Sequence, residues 1–155
     1  LIQNGQLKLA NDLLGRNWYI TGNVEKGKQQ GREIGFPTAN LSLKNFLKPP
    51  LGVYISRLKI ISSQNTEISN VWLPSISNIG RPTVSGDSVN LETHIIDFNN
   101  NNETNLYGKR INVELIEFLR PEKKFNSLSE LQKQIKIDTK KAFEFHKKQN
   151  KKLII

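Results

Sequence analysis

Five stretches of this chain alternate apolar and polar residues with a period of two, and no helical pattern stands between them. They are the run that begins at Trp18, "GVYISRLKII" (52–61), "EISNVWL" (67–73), "VNLETHII" (89–96) and "RINVELIEFL" (110–119). In the first, Trp18, Ile20, Gly22 and Val24 share one face, since alternate side chains of a strand point the same way. Gly, Pro and Asn clusters separate the runs where crossover helices would otherwise stand. Short strands joined in this way predict an antiparallel barrel or sandwich. Residues 98–105, "FNNNNETN", read as a polar loop.

Helical spacing appears only at the two ends. Leu7, Ala10 and Leu14 recur at a helical period, with Gly15 placed to cap the C-terminus. After the strands, Ser127 and Glu130 make a capping box. Leu128, Leu131, Ile135 and Ala142 then form an apolar stripe that continues to Phe143 or Phe145. One amphipathic helix lying against the strands is expected, fraying from Gln149 onward.

A length of 155 residues most simply makes one domain, able to bury roughly 68–70% of its unfolded surface. There is no cysteine, which excludes a disulfide framework, a thiolate zinc site and a cysteine nucleophile. No apolar run approaches the ~18 residues of a membrane span, and the opening "LIQNGQLKLANDLLGR" lacks the pattern of a signal peptide. A cytoplasmic protein with no membrane partner is expected. Methionine is absent even at position 1, so a fragment preceded by further sequence is expected. The net charge is +9, and residues 120–155 hold 11 Lys/Arg against 4 Asp/Glu, or +7, leaving +2 for the first 119. Such a basic end can mark a nucleic-acid or anionic-membrane partner, or simply a solvated helix face. No aromatic residue interleaves with "KKQNKK" as a single-strand binder would require.

Two places hold candidate chemistry. "GNVEKGKQQGREIG" (22–35) carries four glycines with Lys26, Lys28 and Arg32. Backbone amides freed of side-chain bulk can approach phosphate oxygens, and the cations offset their charge. The same string also suits a mobile hairpin loop. It is followed by "PTAN", in which Pro37 removes a donor and favours extended chain at Phe36. Thr38 and Asn40 then share a face, a hydroxyl and an amide carbonyl that suit a Mg²⁺ already bound to ATP phosphates, an ion that takes few protein ligands. In "VNLETHII", Val89, Leu91, Thr93 and Ile95 share one face while Glu92 and His94 take the other. Glu92 can orient a hydroxyl for attack or be only a solvated strand residue. His94 reads as a packed histidine, and His146, on a lysine-rich helix, as a surface one.

Taken in order, "GNVEKGKQQGREIGFPTANL", "LGVY", "SNIGRPTV", "LETHI", "LYGK" and "LRPEKKF" resemble the riboflavin kinase (flavokinase) family across Gly22 to Phe125. The resemblance implies a mainly β fold: a six-stranded antiparallel Greek-key barrel with a C-terminal amphipathic α-helix. It implies transfer of the γ-phosphoryl group of MgATP to the ribityl 5′-hydroxyl of riboflavin, giving FMN and ADP. By motif, Thr38 and Asn40 look like the Mg²⁺ ligands and Glu92 like the catalytic base. Gly27, Arg32, Ile95, Asp97 and Tyr107 match ATP-side positions, and Arg120, Lys123 and Phe125 match the flavin side. A Lys is common at the Arg32 position, and the loop before Tyr107 is longer than usual. The start "GQLKLANDLLGR" resembles the connector of bifunctional bacterial enzymes. The implied layout is a connector helix over 1–15 after an FMN adenylyltransferase domain, a kinase barrel with its helix over 16–148, and a tail over 149–155. The parent protein is expected also to make FAD. A small basic barrel holding oligonucleotide is the rival class, but it wants exposed aromatics along its strands, and no nucleic-acid partner is expected.

Overall fold

The computed structural model describes residues 1–25, 38–61, 71–81, 88–96 and 106–152. Within them, helices α1 (Leu7–Leu14) and α2 (Leu128–Lys152) flank six strands: β1 (Tyr19–Asn23), β2 (Ala39–Ser42), β3 (Gly52–Ile61), β4 (Leu73–Gly80), β5 (Asn90–Ile95) and β6 (Arg110–Pro121). The strands pair antiparallel in the order β1–β6–β3–β4–β5–β2. The two ends of that order meet. Glu25, just past β1, bridges Asn40 of β2, its N–H donating to the Asn40 carbonyl at 2.8 Å. The expected barrel is therefore present and nearly closed, which leaves little unpaired strand edge.

Period two sorts the side chains into an inside and an outside. Ile20, Leu41, Leu58, Ile79, Leu91 and Val113 fill the interior, all essentially inaccessible. Tyr54 of "LGVY" joins them, its hydroxyl donating to the Pro50 carbonyl at 2.7 Å, and burial pushes that phenol up to about 12. Four hydroxyls are buried as well. Ser56 lies 2.7 Å from both Ser75 and Ser77, and Ser77 lies 2.8 Å from Thr93. Each is satisfied by a neighbour, as buried polar groups must be.

Those serines explain where β4 departs from expectation. The sequence predicts a strand over 67–73, but β4 begins at Leu73, Val71 and Trp72 lie outside it, and 67–70 lie outside the described residues. Its inward positions include Ser75 and Ser77, so the strand lacks the apolar alternation that marks the others. Pro74 at its second position further hides it, because proline removes a ladder donor.

α1 ends at Gly15, whose φ of 69° is the left-handed cap conformation. Its buried face is Leu7, Ala10 and Asn11, while Leu14 is exposed. Asn11 fixes the helix to the barrel: Nδ2 donates to the Leu115 carbonyl at 3.3 Å, and Oδ1 accepts from the Trp18 N–H at 2.7 Å. α2 starts on the expected cap. The Glu130 N–H donates to Ser127 Oγ, and the Glu130 carboxylate accepts from the Asn126 N–H, both at 3.1 Å.

α2 covers an outer patch of barrel made by Val53, Ile55, Ile76 and Ile96, into which Ala142, Phe143 and Phe145 pack. Leu128, expected in the apolar stripe, is instead exposed, and Asp138 and His146 are buried on the packed side. His146 was expected at the surface, and the structure corrects this. Residues 138, 142 and 146 follow each other four apart, so all three face the barrel. The lysines around His146 take the other sides of the helix. The helix also persists to Lys152, past the predicted fraying point.

Candidate active site

The register of the barrel wall assembles the site. Asn40 of β2 stands opposite Glu92 of β5, Glu92 opposite Asn78 of β4, Asn78 opposite Val53 of β3, and Val53 opposite Arg120 of β6. Directly paired residues have Cα atoms about 4.5–5.5 Å apart, so this outward row runs roughly 19 Å along the sheet at about 4.8 Å per strand. Followed the other way from Asn40, the path reaches Glu25 and then Val24. Val24's carbonyl accepts from the Gly108 N–H, at the start of β6 and not at Arg120. That stagger is what closure of a barrel demands, and it carries the row obliquely round the wall.

At one end are Thr38, half-buried, and Asn40, buried. Asn40 lies in β2, and Thr38 directly precedes that strand. Their donor set is one hydroxyl and one amide oxygen. Among the described residues no group of three or more His, Cys, Asp or Glu could hold a metal by itself. Glu92 follows, half-buried, on the outward face. Leu91 and Thr93 turn inward as expected, and His94 stands beyond, half-buried, opposite Ile76. Its cross-strand neighbours on both sides, Asn40 and Asn78, are amides.

The far end is seated by two glycines. At Gly52, whose φ is 147°, an added Cβ would collide with the Arg120 carbonyl oxygen and come within 2.9 Å of Phe118. At Gly80 it would lie 2.7 Å from Glu122 Oε1 and 3.2 Å from Asn78 Nδ2. The bare Cα of Gly52 lets the backbone at Arg120 and Pro121 lie against β3, whereas at Gly80 the close atom is the flexible end of the Glu122 side chain. The segment from Arg120 to Glu122 leads into the expected flavin-side residues, which the structure brings together. Arg120 Cζ is 6.0 Å and Lys123 Nζ 5.7 Å from the Phe125 ring centroid, within the range of a cation–π contact. Phe118, beside them on β6, is half-exposed and packs edge-on to Tyr54 with centroids 5.1 Å apart.

Other expected positions fall differently. Tyr107 sits exposed on the turn before β6, where Gly108, with φ of 77°, pairs with Val24. It therefore stands near the Glu25–Asn40 bridge. The Ile95 side chain packs against the interior core, so that side chain is turned from the outward row. Gly27, Arg32 and Asp97 lie outside the described residues, as does most of the glycine-rich loop. Asn78, Gly80 and Asp138 were not singled out from sequence. The first two fall inside "SNIGRPTV", and period two from Ser77 would have turned Asn78 outward.

The structure is a nearly closed six-stranded barrel with the carboxylate of Glu92 set between two amides on its wall. The family model described as "Flavokinase: Riboflavin kinase" matches residues 14–146. The bifunctional riboflavin kinase/FMN adenylyltransferase of Bacillus subtilis is 38% identical over 93% of this chain and 43% of its own length. That of Escherichia coli is 39% identical over 93% and 43%. The trifunctional RibF/MnmA protein of Mycoplasmoides gallisepticum is 40% identical over all of this chain and 22% of its own. A solved Streptococcus pneumoniae chain, described as a macrolide-efflux protein, superposes with a TM-score of 0.74 at 29% identity, over 90% of this chain and 42% of that one. The chain belongs to the riboflavin kinase family. It corresponds to the kinase part of its bifunctional relatives and spans less than half their length. Among the described residues, no helix is long and apolar enough to cross a membrane.

Proposed function

We propose that this domain transfers the γ-phosphoryl group of ATP to the 5′-hydroxyl of riboflavin, giving FMN and ADP, along the outward row from Asn40 to Arg120. The observation that carries this reading is the direct pairing of Glu92 with Asn40. It sets a carboxylate one strand from the phosphate-side oxygens, with the cationic, aromatic end of β6 on its other side. Thr38 and Asn40 would hold Mg²⁺. Two neutral oxygens fit an ion that arrives on ATP and keeps most of its waters, and when bound it would neutralise charge on the phosphates. Glu92 accepts the proton of the attacking hydroxyl as the new O–P bond forms and the bond to the ADP oxygen breaks. Because phosphoryl transfer has a loose transition state, positioning carries much of the rate, and the proton can be accepted late.

Gly27, Arg32, Asp97 and Tyr107 complete the ATP side in this reading, with Ile95 contributing through its backbone. Arg120, Lys123 and Phe125 take the isoalloxazine, whose flat ring suits an aromatic and cationic neighbourhood. As the names of its relatives suggest, the parent protein would also carry an FMN adenylyltransferase domain joined through residues 1–15. A cytoplasmic location is consistent with its use of ATP. Incubation with riboflavin and MgATP, followed by chromatography, tests the proposal. FMN and ADP are expected as the only products; absence of FMN overturns the kinase reading, and FAD formed in proportion to protein overturns the single-site reading.

A further inference from the structure

α2 does more than cover an apolar patch. Asp138 sits in its packed face with a side chain only 3% exposed. Oδ2 accepts from Arg120 Nε at 2.9 Å and lies 2.8 Å from Nη2, while Oδ1 accepts from Gln134 Nε2 at 3.0 Å. Arg120 Nη1 donates to the Pro121 carbonyl at 3.0 Å. The guanidinium is thus held along one edge by α2 and at its remaining nitrogen by the segment that carries Lys123 and Phe125. Its carbon stands over the Phe125 ring. Two guanidinium nitrogens that converge on one carboxylate oxygen, with the third held by a backbone carbonyl, fix the plane of the arginine as well as its position.

We propose that Asp138 is a positioning residue for the flavin side of the site: it orients Arg120, and through it Phe125, so that α2 sets the affinity for riboflavin. The inference rests on the riboflavin kinase reading. Two consequences distinguish it from a purely structural ion pair. With its charge neutralised by Asp138, Arg120 presents a fixed planar face suited to a neutral aromatic ring and is poorly placed to serve as a phosphate ligand. And since the pair lies at the far end of the row from Asn40, its loss should act on one substrate only.

The test is steady-state kinetics of the wild type, Asp138→Asn, Asp138→Glu, Arg120→Gln and the Asp138→Asn/Arg120→Gln double variant, with thermal unfolding of each. The expected result for Asp138→Asn, which preserves shape, is a riboflavin KM raised roughly tenfold, the scale of one charge-assisted hydrogen bond. Its kcat and its KM for ATP should stay within about twofold. Asp138→Glu should recover part of the loss, and the double variant should be no worse than Arg120→Gln alone, since both break one unit. A riboflavin KM unchanged in Asp138→Asn overturns the inference. So does a parallel rise of both KM values that tracks the fall in Tm, which would make the pair a helix anchor only. A wild-type chain that forms no FMN fails the kinase reading itself and is recognised before any variant is compared.

Discussion

At the residue scale, the site depends on a few atoms whose removal has separable consequences. Glu92→Gln keeps the shape and polarity of the row and removes the proposed proton acceptor. Its kcat should fall by roughly the ~10²–10⁴-fold of a lost general base, with riboflavin and MgADP affinities little changed in titrations. Full kcat would reduce Glu92 to a wall residue. Gly52→Ala tests a different link. The added methyl meets backbone, the Arg120 carbonyl, in a conformation L-residues rarely adopt, so the segment from Arg120 to Glu122 must move. A strained backbone position costs about 1–3 kcal/mol, and at about 2–4 °C per kcal/mol for a domain near this size calorimetry should register a clear fall in Tm. Because the displaced segment carries Arg120 and leads into the rest of the proposed flavin side, the riboflavin KM should rise with it. An unchanged Tm would refute the proposed contact. Both residues were legible as members of motifs. What Gly52 is for was not, since its crowding partner lies some seventy positions away on β6.

The elements were legible to the extent that their signals are local. Alternation found β1, β3, β5 and β6 to within one or two residues, and the Gly15 and Ser127 caps marked the helix end and start that the structure shows. The signal failed for β4, where inward serines satisfied by Ser56 and Thr93 replace apolar residues. It also failed for part of each helix face: the apolar Leu14 and Leu128 point to water while Asn11 and Asp138 are buried. A stripe drawn by hydrophobicity cannot anticipate polar residues that are buried because a distant partner satisfies them. Asn11 offers the test at this scale. Asn11→Ala leaves the Trp18 N–H and the Leu115 carbonyl without their side-chain partner, and each buried group left unsatisfied costs about 1–3 kcal/mol. Chemical denaturation should show a loss of that order, with kcat retained because α1 lies away from the outward row. A loss below half a kcal/mol, the level of an ordinary surface change, would show that α1 is not clamped by Asn11.

At the scale of the whole molecule, the packing of α2 on the barrel creates a pH dependence that no single segment contains. His146 is buried against the barrel wall, edge-on to Phe145 at 5.7 Å, with Nε2 unpartnered among the described residues. Burial holds its imidazole below the ordinary 6.5; hydrogen bonding with the peptide groups of Ser56 and Ser75 offsets part of this, and the Arg57 charge adds least to the lowering. The unfolded chain therefore binds a proton on His146 more readily than the folded one. Stability is full above 6.5 and falls as pH drops below it toward the folded value. Urea denaturation on either side of 6.5 should show this loss, and His146→Gln, neutral throughout, should flatten it. An equal slope in the variant would assign the dependence to other groups.

The sequence by itself determined that this chain makes an antiparallel barrel or sandwich with a terminal helix, and only the family resemblance chose the barrel. It also singled out a hydroxyl, an amide and a carboxylate, because period, capping and turn chemistry are written in neighbouring residues. Only the tertiary structure decided that Asn40, Glu92 and Asn78 stand side by side, that Arg120 is held by Asp138, and that His146 is inside. Register and helix docking are fixed by contacts between residues far apart in the chain. A shift of one residue in β5 would have turned Glu92 into the core.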